Sequence, residues 1–186
     1  VQEDLATALP HGPLLVSPKI DGELWFLVMD GDEVFLSSPT GRVVSGDIPA
    51  LAELKAAAGR ARGRTEVAGE LFAVKPAGQG RARVGDLAAV MGGEDKAQVE
   101  RMAFHAFDLL VGGDAESPTR SIVYGERLEV LKGLFAGGKR VQAIRTEAVA
   151  GSDKVMALWN EWVEGGKGEG LVLRADGLVF KAKPSI

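Results

Sequence analysis

Short apolar runs broken by turn residues fill the first third of the chain, which predicts strands at Leu14–Val16, Glu23–Asp30 and Glu33–Ser38. Asp30-Gly31-Asp32 is a hairpin signal, and Ser38-Pro39-Thr40-Gly41 is a second turn. The Ala/Leu-rich stretch Pro49–Ala61 reads as a helix, and Thr65–Val74 returns to strand. Lys75–Arg83 is a glycine-bearing basic loop leading into a short helix at Val84–Met91. A buried strand follows at Met102–Leu110, then a helix at Tyr124–Phe135 and a strand at Val141–Thr146. Ser152 is placed to cap a helix through Val163, with Val155, Leu158, Trp159, Trp162 and Val163 as its apolar stripe. A hairpin closes the chain, with Leu171–Arg174 turning at Asp176-Gly177 into Leu178–Lys183. Hairpins outnumber crossovers and helices do not alternate with strands. The expected class is α+β, with largely antiparallel sheets flanked by helices in one domain spanning residues 1–186.

Composition narrows the chemistry. No cysteine is present, which removes disulfides and thiolate metal sites, and His11 and His105 are too few for a histidine-built zinc site. A metal here is expected to be a hard cation on carboxylates. No apolar run reaches the length of a membrane span and no leader pattern opens the sequence, so a soluble, cytoplasmic protein with no membrane partner is expected. Net charge is −4, yet Lys55–Arg83 carries seven basic residues against Glu66 and Glu70. That strip, with Arg60, Arg62, Arg81 and Arg83, is either a solvated face or a phosphate-contacting one.

Several residues stand out as chemically suited. In the last strand, Lys181 and Lys183 share a face, about 7 Å apart by the rise of two residues. They read either as edge protection or as a clamp for a polyanion. Asp21, Glu70 and Glu169 each sit beside a glycine, where backbone and ligand can approach closely, although such acids also serve ordinary turns. Phe107 lies in a strand whose side chains pack the core, and it could equally present a flat plate to a purine. Lys19, between two apolar runs, is a strand-end lysine or a nucleophile.

Taken together, "KIDG" (19–22), "GELFA" (69–73), "FHAFDLL" (104–110), "EGLVLR" (169–174) and "KAKP" (181–184) occur in the order of the nucleotidyltransferase motifs I, III, IIIa, IV and V. The chain resembles the adenylation domain of ATP-dependent DNA ligases, within the covalent nucleotidyltransferases that include RNA ligases and capping enzymes. The resemblance implies that Lys19 attacks the α-phosphorus of ATP to form a lysyl-AMP. Asp21 and Gly22 would shape the turn, Glu70 would meet the ribose or the metal, and Phe107 would stack on adenine. Glu169 would hold Mg²⁺ (or Mn²⁺), and Lys181 and Lys183 would grip the α-phosphate and favour the free amine of Lys19. Ser17 and Ile20 complete the implied nucleotide contacts.

The implied partner is nicked double-stranded DNA, with RNA as the alternative. The implied assembly is a monomer completed by an OB-fold domain in the full-length protein or in trans. The chain departs from the family pattern at Ser17, Leu24, Pro39 and Ala68, positions tied to base, ribose and substrate-strand contacts. Arg42 is the candidate replacement for the arginine missing at Pro39. A nucleotide- or nucleic-acid-binding module that has lost turnover is the reading from another class.

Overall fold

The computed structural model describes residues 8–9, 12–76, 79–92, 99–112 and 119–179. Its strands are β1 (Leu14–Pro18), β2 (Glu23–Asp30), β3 (Glu33–Ser37), β4 (Val43–Val44), β5 (Thr65–Ala73), β6 (Met102–Val111), β7 (Val141–Ala143), β8 (Glu147–Val149) and β9 (Leu171–Ala175). The helices are α1 (Pro49–Ala58), α2 (Val84–Gly92), α3 (Tyr124–Leu134) and α4 (Ser152–Leu158). One sheet has the order β8-β1-β9, the other β4-β3-β2-β5-β6-β7. Among the described residues, every pairing is antiparallel except β6 with β7. The expected α+β class is what the chain adopts.

Alternation along the strands explains the layering. Trp25, Leu27 and Met29 of β2, Leu36 of β3, Val67 and Leu71 of β5 and Phe104 of β6 point to one face of the large sheet. There α1, α2 and α3 cover them with Leu51, Leu54, Leu87, Val90, Leu131 and Leu134. In the small sheet, Leu14 and Val16 pack against Val155, Leu158 and Trp162. The opposite faces of the two sheets look toward each other, and a cavity lies between them.

Four local expectations change. The strand foreseen at Val141–Thr146 stops at Ala143: Ile144 N–H still bonds Ala106 O beside the large sheet, and a separate strand begins only after Thr146, where Glu147 pairs with Val16 in the small sheet. Helix α1 ends at Ala58, because Arg60 N–H and Ala61 N–H bond three residues back in tighter turns. Gly151, at φ +80°, takes the N-cap position expected of Ser152, which lies inside α4 and makes no capping bond. Beyond Leu158 the helix widens into a π-helical stretch, Trp159–Gly165, and the changed pitch leaves Trp159 exposed while Trp162 stays in the stripe. The second strand of the closing hairpin, with Lys181 and Lys183, lies outside the described residues, as does His11.

Candidate active site

The chain leaves the small sheet at Pro18 and enters the large one at Glu23, so Lys19–Gly22 forms the seam between them. Lys19 N–H donates to Gly170 O at 2.8 Å, which fixes the start of the turn to the entry of β9. Gly22 is needed for the next step: a Cβ there would lie 2.5 Å from Leu71 O and 2.9 Å from Glu70 Cγ. Without one, β5 approaches closely and Gly22 N–H donates to Glu70 Oε1 at 3.2 Å.

Three carboxylates surround this turn. Glu169 Oε1 accepts from Lys19 Nζ, while its Oε2 is buried and has no hydrogen-bond partner among the described residues. Burial pushes the Glu70 carboxyl up from its ordinary range. The Gly22 N–H and the Lys19 charge oppose that rise, and the Glu169 and Asp21 carboxylates add to it. Asp21 faces away toward α2, accepting from Val84 N–H at 3.4 Å and lying 3.8 Å from Arg81 Nη2. The Lys19 side chain is about half exposed (49%), so a solute can reach its amine.

Beside the turn lies a cavity of about 260 Å³, lined by Ser17, Ile20, Asp21, Gly22, Glu70, Phe107, Ile144, Val172 and Arg174 along with Lys19. Phe107 enters it because of a bulge. Ala68 pairs with Asp108 and Gly69 with Ala106, so Phe107 is the extra residue on β6 and is turned inward. Gly69 permits the close packing there, since a Cβ would fall 2.2 Å from the Phe104 ring. The Arg174 guanidinium carbon lies 5.2 Å from the Phe107 centroid and equally far from that of Tyr124.

Arg174, Val172 and Ile144 are site residues that sequence reasoning missed. The signal was available in "EGLVLR", because alternation puts Val172 and Arg174 on one face of β9. Of the basic candidates, Arg81 reaches Asp21 and Arg83 N–H bonds Asp86 at the start of α2. Arg42 pairs with Glu23 just after the turn and lies 5.2 Å over the Trp25 ring. Arg60 and Arg62 instead flank Thr65, and Arg60 Nε donates to Leu134 O. That end of β5 is separated from Ala73 by about 27 Å at the usual strand rise.

A family model described as "ATP dependent DNA ligase domain" matches residues 2–185. The chain belongs to that family. Among solved structures it is similar to a chain named Pmar-Lig, with 18% identity, a TM-score of 0.71, and coverage of 98% of this chain and 41% of the other. The ligase domain of Mycobacterium tuberculosis ligase D shows 20% identity and a TM-score of 0.68, covering 95% and 52%. The ATP-dependent DNA ligase of bacteriophage T7, in complex with ATP, shows 14% and 0.60, covering 97% and 61%. At these identities the likeness is one of fold, and the ligase-family chain spans about two fifths to three fifths of these proteins. No curated protein matches.

His105 stands next to this site, opposite Glu70 across the β5–β6 ladder and edge-on to Phe72 at 4.8 Å. Burial lowers its pKa to about 4. An unfolded histidine protonates near pH 6.5, so below that pH the unfolded state binds the extra proton and folding stability falls. The loss runs from about pH 6.5 to about pH 4 and amounts to at most ~3 kcal/mol. Urea melts of the wild type and His105→Phe at both ends of that window are expected to show the wild type losing more stability than the variant.

Proposed function

We propose that Lys19 is the nucleophile of an ATP-dependent polynucleotide ligase whose substrate is a nicked DNA duplex. The observation that carries this reading is the placement of a half-exposed lysine amine against Glu169, at the mouth of a cavity holding Phe107. In the first step the Lys19 ammonium gives one proton to Glu169 Oε1, with which it is in contact, the neutral Nζ then bonds Pα as the Pα–O bond to pyrophosphate breaks, and the second proton leaves Nζ for the departing pyrophosphate. Phe107 and Val172 offer the base apolar walls, and Arg174 adds a cation on the same cavity wall. The AMP then passes to a 5′-phosphate, and a 3′-hydroxyl displaces it to seal the strand.

Glu70 and Glu169 suit a hard divalent cation. Both are oxygen donors, and the buried Glu169 Oε2 has no partner among the described residues. Two carboxylates provide part of an octahedral shell and leave the remainder to water and phosphate oxygens, the usual manner of Mg²⁺. When bound, the ion supplies neutralising charge to the departing pyrophosphate. Lys181 and Lys183 are proposed to hold the α-phosphate, and Arg42, Arg81 and Arg83, close to the turn, to meet the nucleic-acid backbone.

The test uses the full-length protein with Mg²⁺ and ATP, read by intact mass, followed by sealing assays on nicked DNA and nicked RNA duplexes. A covalent adenylate and faster sealing of DNA are expected. Absence of any adenylate overturns the proposal, and preferential sealing of RNA moves the substrate to the alternative.

A further inference from the structure

At the end of β5 remote from the Lys19 turn, the helical layer leaves a second hollow, of about 300 Å³. One wall is α3, which presents Val130, Gly133 and Leu134, and the buried Leu109 lies at the base. The rim carries Arg60 and Arg62.

Two residues of the α3 wall go against helix chemistry without any reason inside the fold. Val130 is β-branched, a poor helix former, and it stays 43% exposed, so neither propensity nor core burial accounts for it. Gly133 lies within α3, where glycine is less stable than alanine, yet a Cβ there would meet nothing within 4 Å. Alanine would fit and would favour the helix. What glycine adds is room, on the same side of the helix as Val130. Local rules broken with no internal gain are expected where something from outside binds.

The rim indicates what that something is. Arg64 is paired with Glu66 and Asp30, but Arg60 and Arg62 have no carboxylate partner among the described residues. Arg60 Nε donates to Leu134 O at 2.9 Å, which holds its guanidinium at the edge of the hollow. Glu129, which also lines it, is paired with Lys132 at 2.7 Å. We propose that this hollow docks an acidic peptide segment of a partner protein, with one bulky apolar residue seated against Val130 and Gly133 and carboxylates on Arg60 and Arg62. A nucleic-acid backbone would satisfy the arginines but leave the apolar wall unused. The inference is independent of the chemistry of Lys19.

A random twelve-residue peptide library displayed on phage is panned against the full-length protein, and enriched sequences are synthesised with a fluorescein label and titrated by anisotropy. Enriched peptides are expected to carry several Asp or Glu residues around a single Leu, Phe or Trp, and to bind with a Kd of about 10–100 µM, as suits so small a contact. The double variant Arg60→Glu with Arg62→Glu is expected to weaken binding at least about tenfold, and Gly133→Leu, which fills the hollow from the helix side, to do the same. Gly133→Leu replaces glycine by a good helix former, so its melting temperature should match or exceed the wild type's. That separates a filled site from a damaged fold.

A library that yields no enriched acidic sequence overturns the proposal. So does peptide binding that Gly133→Leu leaves unchanged. A short DNA duplex that binds more tightly than any peptide, is lost in the double arginine variant and is indifferent to Gly133→Leu would assign the rim to nucleic acid instead. A concentration-dependent dimer in sedimentation that Gly133→Leu abolishes would make a second copy of the chain the occupant, and would overturn the proposal equally.

Discussion

Lys19→Arg is expected to fold like the wild type and to lose covalent labelling by at least about a thousandfold, the scale seen when an enzyme's nucleophile is removed. Arginine keeps a positive charge against Glu169, so the ion pair seen in the structure can persist. What arginine cannot do is give up its proton, and without a free amine no bond to phosphorus forms. The substitution therefore separates charge from nucleophilicity at one position. Intact mass after incubation with ATP and Mg²⁺ reads the nucleophilicity, and thermal unfolding reads the retained charge. Labelling within tenfold of the wild type would show that the adenylate forms elsewhere.

Arg127→Ala is expected to cost about 3–5 kcal/mol, the usual penalty for stranding one member of a buried ion pair. Arg127 of α3 is fully buried. Its Nε and Nη2 donate to the two oxygens of Asp108 at 2.7 and 3.3 Å, and Nη1 bonds Leu178 O at 3.2 Å and Ile122 O. One guanidinium thus joins β6 beside Phe107, the approach to α3, and the chain just past β9. Alanine would leave the Asp108 carboxylate and two carbonyls facing an empty space. Lysine would not repair it, because a point charge cannot reproduce the planar fork. For a chain of this size the melting temperature should fall by about 6–20 °C. A drop of under 2 °C in calorimetry would show that Arg127 does not hold these elements together.

How much of this was legible in the sequence depends on how local the cause is. The turn at Lys19–Gly22 and the glycine-flanked acids announce themselves, because their residue types are dictated by chemistry within a few positions. The hairpin at Gly31 is likewise local: Gly31 adopts φ +58° between the paired residues Asp30 and Glu33. Arg174 was missed because its importance comes from register, which sets it opposite Leu15 and over Phe107. The inward turn of Phe107 depends on a bulge that only the pairing of β5 with β6 creates. Arg127 looks like any helix arginine until Asp108 is brought beneath it. The arrangement of the basic strip depends on the pairing in the same way. A run of charge that is continuous in sequence is carried apart by β5, leaving Arg60 and Arg62 at one end and Arg81 at the other.

The order in which the small sheet is assembled has a consequence for biosynthesis. Its central strand carries Val16, whose partners are Glu147 in β8 and Leu173 in β9, both distant in sequence. Loop closure over such separations is slow, and a chain growing from its N-terminus cannot attempt it until those later strands have left the ribosome. The helical face of the large sheet can collapse earlier from nearer segments. Lys19 therefore emerges early yet receives its surroundings late, since Gly170 and Glu169 arrive with β9. On the proposed function, an unfinished nascent chain would hold Lys19 without Glu169 and Gly170, and so would not load a nucleotide before synthesis had passed the small sheet's last strand.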